Sequence, residues 1–107
     1  MEKNIEEIEF EKKITEDTWE GKKYLDLVRR VNNLEKDFSE DKKTDKSLYD
    51  KEMGESYIES LFRTNILANN FNFMASCKDF GSNSEKYYEL TNKLRERIEN
   101  LINKIYG

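Results

Sequence analysis

The sequence contains no histidine, no proline and one cysteine, and each absence removes a class of chemistry or structure. Without histidine there is no Ser-His-Asp or Cys-His nucleophile system, no histidine zinc site and no Glu-x-x-His di-iron motif. A single thiol, Cys77, forms neither an internal disulfide nor a thiolate metal site. Because Cys77 lacks a neighbouring activating base on its helix face, it is expected to be a buried apolar thiol. The lack of proline, with only four glycines, leaves long helices uninterrupted. No run of 18 apolar residues and no leader-like segment occurs, so a soluble protein of a reducing compartment, the cytoplasm, is expected, with no membrane partner. No catalytic residue, metal ligand set or cofactor is expected.

What is present points to one all-α domain. A chain of 107 residues supports a single core, and 12% aromatic residues supply it although 39% of positions are charged. The net charge of −4 is concentrated in residues 1–17, which hold seven acids against three lysines, while the remainder is balanced. An acidic chain is poorly suited to general nucleic-acid binding, whose affinity comes from neutralising phosphates.

Five stretches organise the chain. Residues 2–16 carry Ile5, Ile8, Phe10 and Ile14 at helical steps, although Ile8–Glu11 also alternates like an edge strand; residues 1–17 are therefore an acidic arm or short helix, separable from a bundle of residues 18–107. Thr18 is placed to cap a second helix running to about Phe38, with Tyr24, Leu27, Val28, Val31, Leu34 and Phe38 on its apolar face. Residues 39–47 have no apolar side chain and read as a solvated connection. A third helix is expected from about Leu48 to Lys78, ended by Gly81 in the left-handed conformation. Ser82 and Glu85 have capping-box spacing for a fourth, whose Tyr87, Thr91, Leu94, Ile98, Leu101 and Ile105 form a heptad seam. Three long amphipathic helices and a short N-terminal arm or helix make an up-down helical bundle.

The third helix poses the main question. At about 100° per residue, Phe62, Ile66, Phe73, Cys77 and Phe80 fall on one side and Leu67, Phe71 and Met74 on another, with Asn65, Asn69, Asn72 and Ser76 along a third. Packing one apolar side on the second helix and the other on the fourth would bury both. That burial is the expected arrangement; the sharper reading, since a bundle needs one stripe per helix, is that the surplus is covered by the N-terminal arm, a second copy in a homodimer or a partner, through Leu67, Phe71 and Met74 with Asn65, Asn69 and Asn72 at the rim. A second candidate surface is the basic stripe of the fourth helix, Lys86, Lys93, Arg97 and Lys104, which lie within about 20° of one line.

Three local motifs have other readings. Glu6/Glu9, Glu52/Glu55 and Glu96/Glu99 resemble the Glu-x-x-Glu pairs of helical nucleotide pyrophosphohydrolases, but the accompanying Glu-x-x-Asp is missing. Asp79–Gly81 resembles the metal-binding Asp-Phe-Gly of protein kinases without their Gly-rich or His-Arg-Asp loops, and is expected to be a helix end. Trp19–Gly21 resembles the tripeptide of the small secreted WxG helical-hairpin proteins. That family places the motif between two long helices, whereas only eighteen residues precede it here, so Trp19 is expected to be a core residue at the start of a helix.

The expectation is a non-enzymatic macromolecule-binding protein, an inhibitor or adaptor whose partner is another protein, such as a host nucleic-acid-handling complex. The Lys-, Asn-, Ile- and Glu-rich composition suits an AT-rich phage or mobile-element product that blocks host defence machinery. A nucleic-acid-binding regulator using the basic stripe, or a WxG-like secreted protein, are the competing classes.

Overall fold

The computed structural model describes residues 5–39 and 57–106, and within them the chain is all-α. Four helices follow in order: α1 (Ile5–Lys13), α2 (Trp19–Ser39), α3 (Tyr57–Ser76) and α4 (Ser84–Tyr106), with a single 3-10 turn at Gly81–Asn83 before α4. The solvated connection at 40–47, the expected beginning of the third helix at 48–56 and the pair Glu52/Glu55 lie outside the described residues. None of the described helices is long and apolar enough to cross a membrane.

The start of α2 follows from Thr18. Its hydroxyl accepts the Gly21 N–H at 3.0 Å and its carbonyl accepts the Lys22 N–H at 3.0 Å, which satisfies donors that the first turn leaves open. Gly21 is buried because the connection from α1 passes directly over it. A Cβ there would overlap the Thr15 carbonyl oxygen and lie 2.8 Å from Thr18 Oγ1. The glycine of the Trp-Glu-Gly tripeptide therefore permits the connection at Thr15 to pass close against the first turn of α2, and the motif begins α2, after the nine-residue α1.

The end of α3 departs from expectation. Lys78, not Gly81, takes the left-handed conformation that closes the helix, with φ of 63°. The Lys78 N–H bonds to the Ala75 carbonyl at 3.0 Å and the Asp79 N–H to Met74 at 3.1 Å, the Schellman arrangement. Gly81, with φ of 65°, makes a second left-handed bend that leads into the 3-10 turn. Helix α4 thus begins at Ser84, two residues beyond the expected Ser82 cap, and Ser84 Oγ accepts the Phe80 N–H at 2.8 Å. Asp79–Gly81 is this double bend.

The three long helices pack on one another through heptad seams. Helix α4 buries Tyr87, Leu90, Thr91, Leu94, Ile98 and Leu101, with Ile105 half-buried, and α2 buries Tyr24, Leu27, Val31 and Leu34. Contacts of Tyr57 with Leu34, Thr64 with Arg30 and Phe71 with Tyr24 set α3 antiparallel to α2. At one end of the core the aromatics gather: Phe71 lies 4.9 Å from Phe80 and 5.6 Å from Tyr87, and Phe10 of α1 meets Tyr87 edge-on at 5.0 Å. Edge-to-face pairs of this kind contribute about 0.5–1.5 kcal/mol each beyond their burial. Helix α1 is thereby joined to α4, and the Tyr24 hydroxyl donates to Glu11 at 3.0 Å.

The core face of α3 is one the apolar wheel does not reveal. Tyr57, Leu61, Thr64, Ala68, Phe71 and Ala75 are buried at steps of four and three, with Ser60 and Asn72 beside them. Small side chains let the helices approach closely, and the hydroxyls satisfy themselves locally, as when Thr64 donates to the Ser60 carbonyl at 2.7 Å. Phe62, Ile66 and Phe73 consequently face away from the core and are 41, 59 and 68% exposed. The expected burial of both apolar sides of this helix against its neighbours is thus corrected, and Cys77, on the same outward line, is exposed rather than buried.

Candidate functional site

Between α2 and α3 lies an open groove of about 400 Å³. Its floor is Phe71 and Leu27, its walls are Trp19, Leu67 and Met74, and its lip carries Lys23, Asp26, Arg29, Arg30 and Asn70. The heptad packing that creates the core also creates this groove. Residues one step round from the buried seam of each helix, Lys23 and Arg30 on α2 and Leu67 and Met74 on α3, stand at its edges.

Trp19 stands at one end of the groove. It is 53% exposed, correcting the expectation of a core tryptophan: it opens α2 at the mouth of the groove, and its indole meets the Phe80 ring at 6.1 Å. The Lys23 ammonium sits 5.7 Å from the indole centroid, a cation-π contact. Asp26 pairs with Arg29 at 3.2 Å, while Arg30 donates one N–H to Thr64 Oγ1 at 3.3 Å. Neither Lys23 nor Arg30 has a carboxylate partner among the described residues. The lip is locally positive on a chain of net charge −4.

The expected partner-binding residues divide. Leu67, at 41% exposure, and the half-buried Met74 line the groove and are available to a ligand. Phe71 is 3% exposed and engaged by Tyr24, Phe80 and Tyr87, so it shapes the floor without offering a surface of its own. The asparagine rim is corrected outright. Asn72 is buried and donates to the Tyr88 carbonyl at 3.2 Å and to Asn92 at 3.0 Å, and Arg95 donates to Asn69 at 2.7 Å and Asn72 at 3.0 Å. Asn65 shares that side, roughly 170° around the helix from Leu67 and Met74. Asn69 and Asn72 tie α3 to α4, and the polar lip of the groove comes instead from Asn70 and the α2 cations. Trp19 and Lys23 are groove residues that the wheel of α3 alone could not find.

The basic stripe of α4 is not a free line of cations. Arg97 donates to both oxygens of Glu35, at 2.5 and 3.1 Å, and to Asn32 at 2.7 Å, and the Glu35 carboxylate raises its pKa. The Lys86 ammonium lies 5.2 Å from the Phe10 ring centroid and that of Lys104 5.9 Å from Phe38. Lys93 lines a depression shared with Glu11, Tyr24 and Arg97. These side chains sit at the junction of α4 with α1 and α2, where the cations cover apolar edges of the core.

Other surfaces have simpler accounts. Phe62, Ile66 and Phe73 form an outward apolar stripe on α3 whose end meets Tyr106, with ring centroids 6.0 Å apart. No group of three carboxylate or thiol side chains suited to a metal gathers among the described residues. No protein-family model, no curated protein and no solved structure matches the chain.

Proposed function

We propose that this chain is a non-catalytic protein-binding module, an inhibitor or adaptor, that engages its partner through the α2/α3 groove. One observation carries the reading: the tryptophan is half exposed at the mouth of an apolar groove whose walls include Leu67 and Met74. Exposed aromatics beside flexible apolar side chains and cations are the composition of interface hot spots. The nucleic-acid alternative has less support, because Arg97 at the centre of its stripe is held by Glu35 and Asn32. The Lys-, Asn- and Ile-rich composition favours a phage or mobile-element inhibitor of host machinery, which directs the first search to a bacterial host lysate.

The test compares affinity capture by the wild type, by Leu67→Glu/Met74→Glu and by the outward control Ile66→Glu/Phe73→Glu. The groove pair should lose the captured protein while the control keeps it, and circular dichroism should report helical folds for all three. Retention by the groove pair would remove this reading. Titration with nucleic acid at several salt concentrations discriminates the alternative, since phosphate contacts impose a steep salt dependence.

A further inference from the structure

We infer that the occupant of the α2/α3 groove is an acidic amphipathic helix of a partner protein, an inference that rests on the groove reading above. Shape is the first argument. The groove runs between two antiparallel helices from Trp19 to Arg30, eleven steps of α2, or about 16 Å at 1.5 Å per residue. That accommodates about three turns of a helix laying its apolar face on Leu67 and Met74, above the floor that Phe71 shapes, with the indole at one end.

Charge fixes the sign of the occupant. Asp26 neutralises Arg29, which leaves the Lys23 ammonium and the Arg30 guanidinium as the lip charges without a carboxylate partner among the described residues. Among the described residues Arg30 engages only one of its donors, with Thr64, and is half-buried, so a carboxylate reaching it would form a partly desolvated, charge-assisted bond. Lys23 and Arg30 are seven residues apart on one face of α2, separated by roughly 10 Å along the axis. A partner helix lying along the groove meets both with two acids two turns apart, flanking an apolar stripe. A basic helix would meet like charge at both ends.

The sole tryptophan supplies a direct readout, since its emission reports what enters the groove. The probe is an 18-residue helical peptide with a leucine stripe and glutamates seven residues apart along one edge; its comparison carries lysines at the same two positions. The acidic peptide should shift Trp19 emission to the blue, saturably and less at high salt, and bind about tenfold or more tightly than the lysine peptide. Lys23→Glu and Arg30→Glu should each weaken the acidic peptide about tenfold and favour the lysine peptide. Lys23 is exposed, so its variant stays informative if Arg30→Glu misfolds.

Equal binding of the two peptides, lost on Leu67→Glu, would overturn the acidic assignment and leave the groove reading intact. Silence of Trp19 toward both peptides would overturn both. A tighter response to a 15-nucleotide oligothymidine or to phosphatidylserine vesicles would assign the groove to another class of ligand. A blue shift on raising the concentration of the protein alone would assign it to a second copy.

Discussion

Gly21→Ala is the substitution whose sign separates packing from propensity. Gly21 lies in the first turn of α2, where alanine would ordinarily stabilise a helix by up to about 1 kcal/mol. Against this, the added Cβ would overlap the Thr15 carbonyl, a backbone atom, and lie 2.8 Å from Thr18 Oγ1. The chain between α1 and α2 must move, at an overpacking cost of about 1–3 kcal/mol, and the Thr18 cap, bonded to the Gly21 N–H, is disturbed at about another 1 kcal/mol. Net destabilisation of about 1–3 kcal/mol follows, a fall of about 4–8 °C in Tm per kcal/mol for a domain of this size. Urea and thermal melts by circular dichroism measure it. Deleting residues 2–16 removes Thr15 and with it the main overlap, so the same substitution in the shortened chain should become neutral or stabilising. A stabilising Gly21→Ala in the full chain would refute the close approach of the Thr15 connection to α2, and a shortened chain that fails to fold would show that α1 belongs to the core.

Four further outcomes are expected. Leu94→Ala or Ile98→Ala, at 3% and 0% exposure, should each cost about 2–5 kcal/mol in urea melts. Lys78→Gly should stabilise by about 0.5–1 kcal/mol, since Lys78 holds φ of 63° in a helix-closing position that suits glycine; a loss of stability would contradict the assigned helix end. Phe71→Asp should unfold the chain by burying a carboxylate, whereas Phe73→Asp, on the outward stripe, should change stability by less than about 0.5 kcal/mol. Burial raises the Tyr24 pKa above its ordinary 10, and the neighbouring Glu11 charge adds to this. The unfolded chain therefore loses this proton before the folded one, and stability should fall above pH 10 by about 1.4 kcal/mol per pH unit from Tyr24. Burial of Tyr87 acts in the same direction. Tyr24→Phe should flatten that slope in melts between pH 9 and 11.5; an unchanged slope would contradict the linkage.

The helices α2 and α4 were legible because their buried positions are large and apolar at a strict heptad spacing, and Thr18 announces the start of α2. Helix α3 was legible as a helix but not in its orientation. Its buried seam alternates Tyr57, Leu61 and Phe71 with Thr64, Ala68 and Ala75, while its larger apolar residues Phe62, Ile66 and Phe73 face solvent. A wheel weighted by hydrophobicity points the wrong way when close helix approach selects small residues. A search for a heptad of any small or apolar residue, matched to that of α4, would have found it. The groove was half legible, since Leu67 and Met74 come from one helix and Trp19, Lys23 and Arg30 from another, and only the antiparallel register brings them together. The asparagine side misled for a related reason: its amides meet Arg95 and Asn92, partners distant in sequence.

Photo-crosslinking from a benzoylphenylalanine placed at Leu67 and, separately, at Phe73 tests the central claim most directly. The two positions are both exposed and lie on α3, one at the groove and one on the outward stripe. A partner protein seated in the groove gives a specific adduct from position 67 and none from position 73, and excess unlabelled wild-type protein suppresses it. An adduct from position 73 alone would place the interface on the outward stripe and contradict the account.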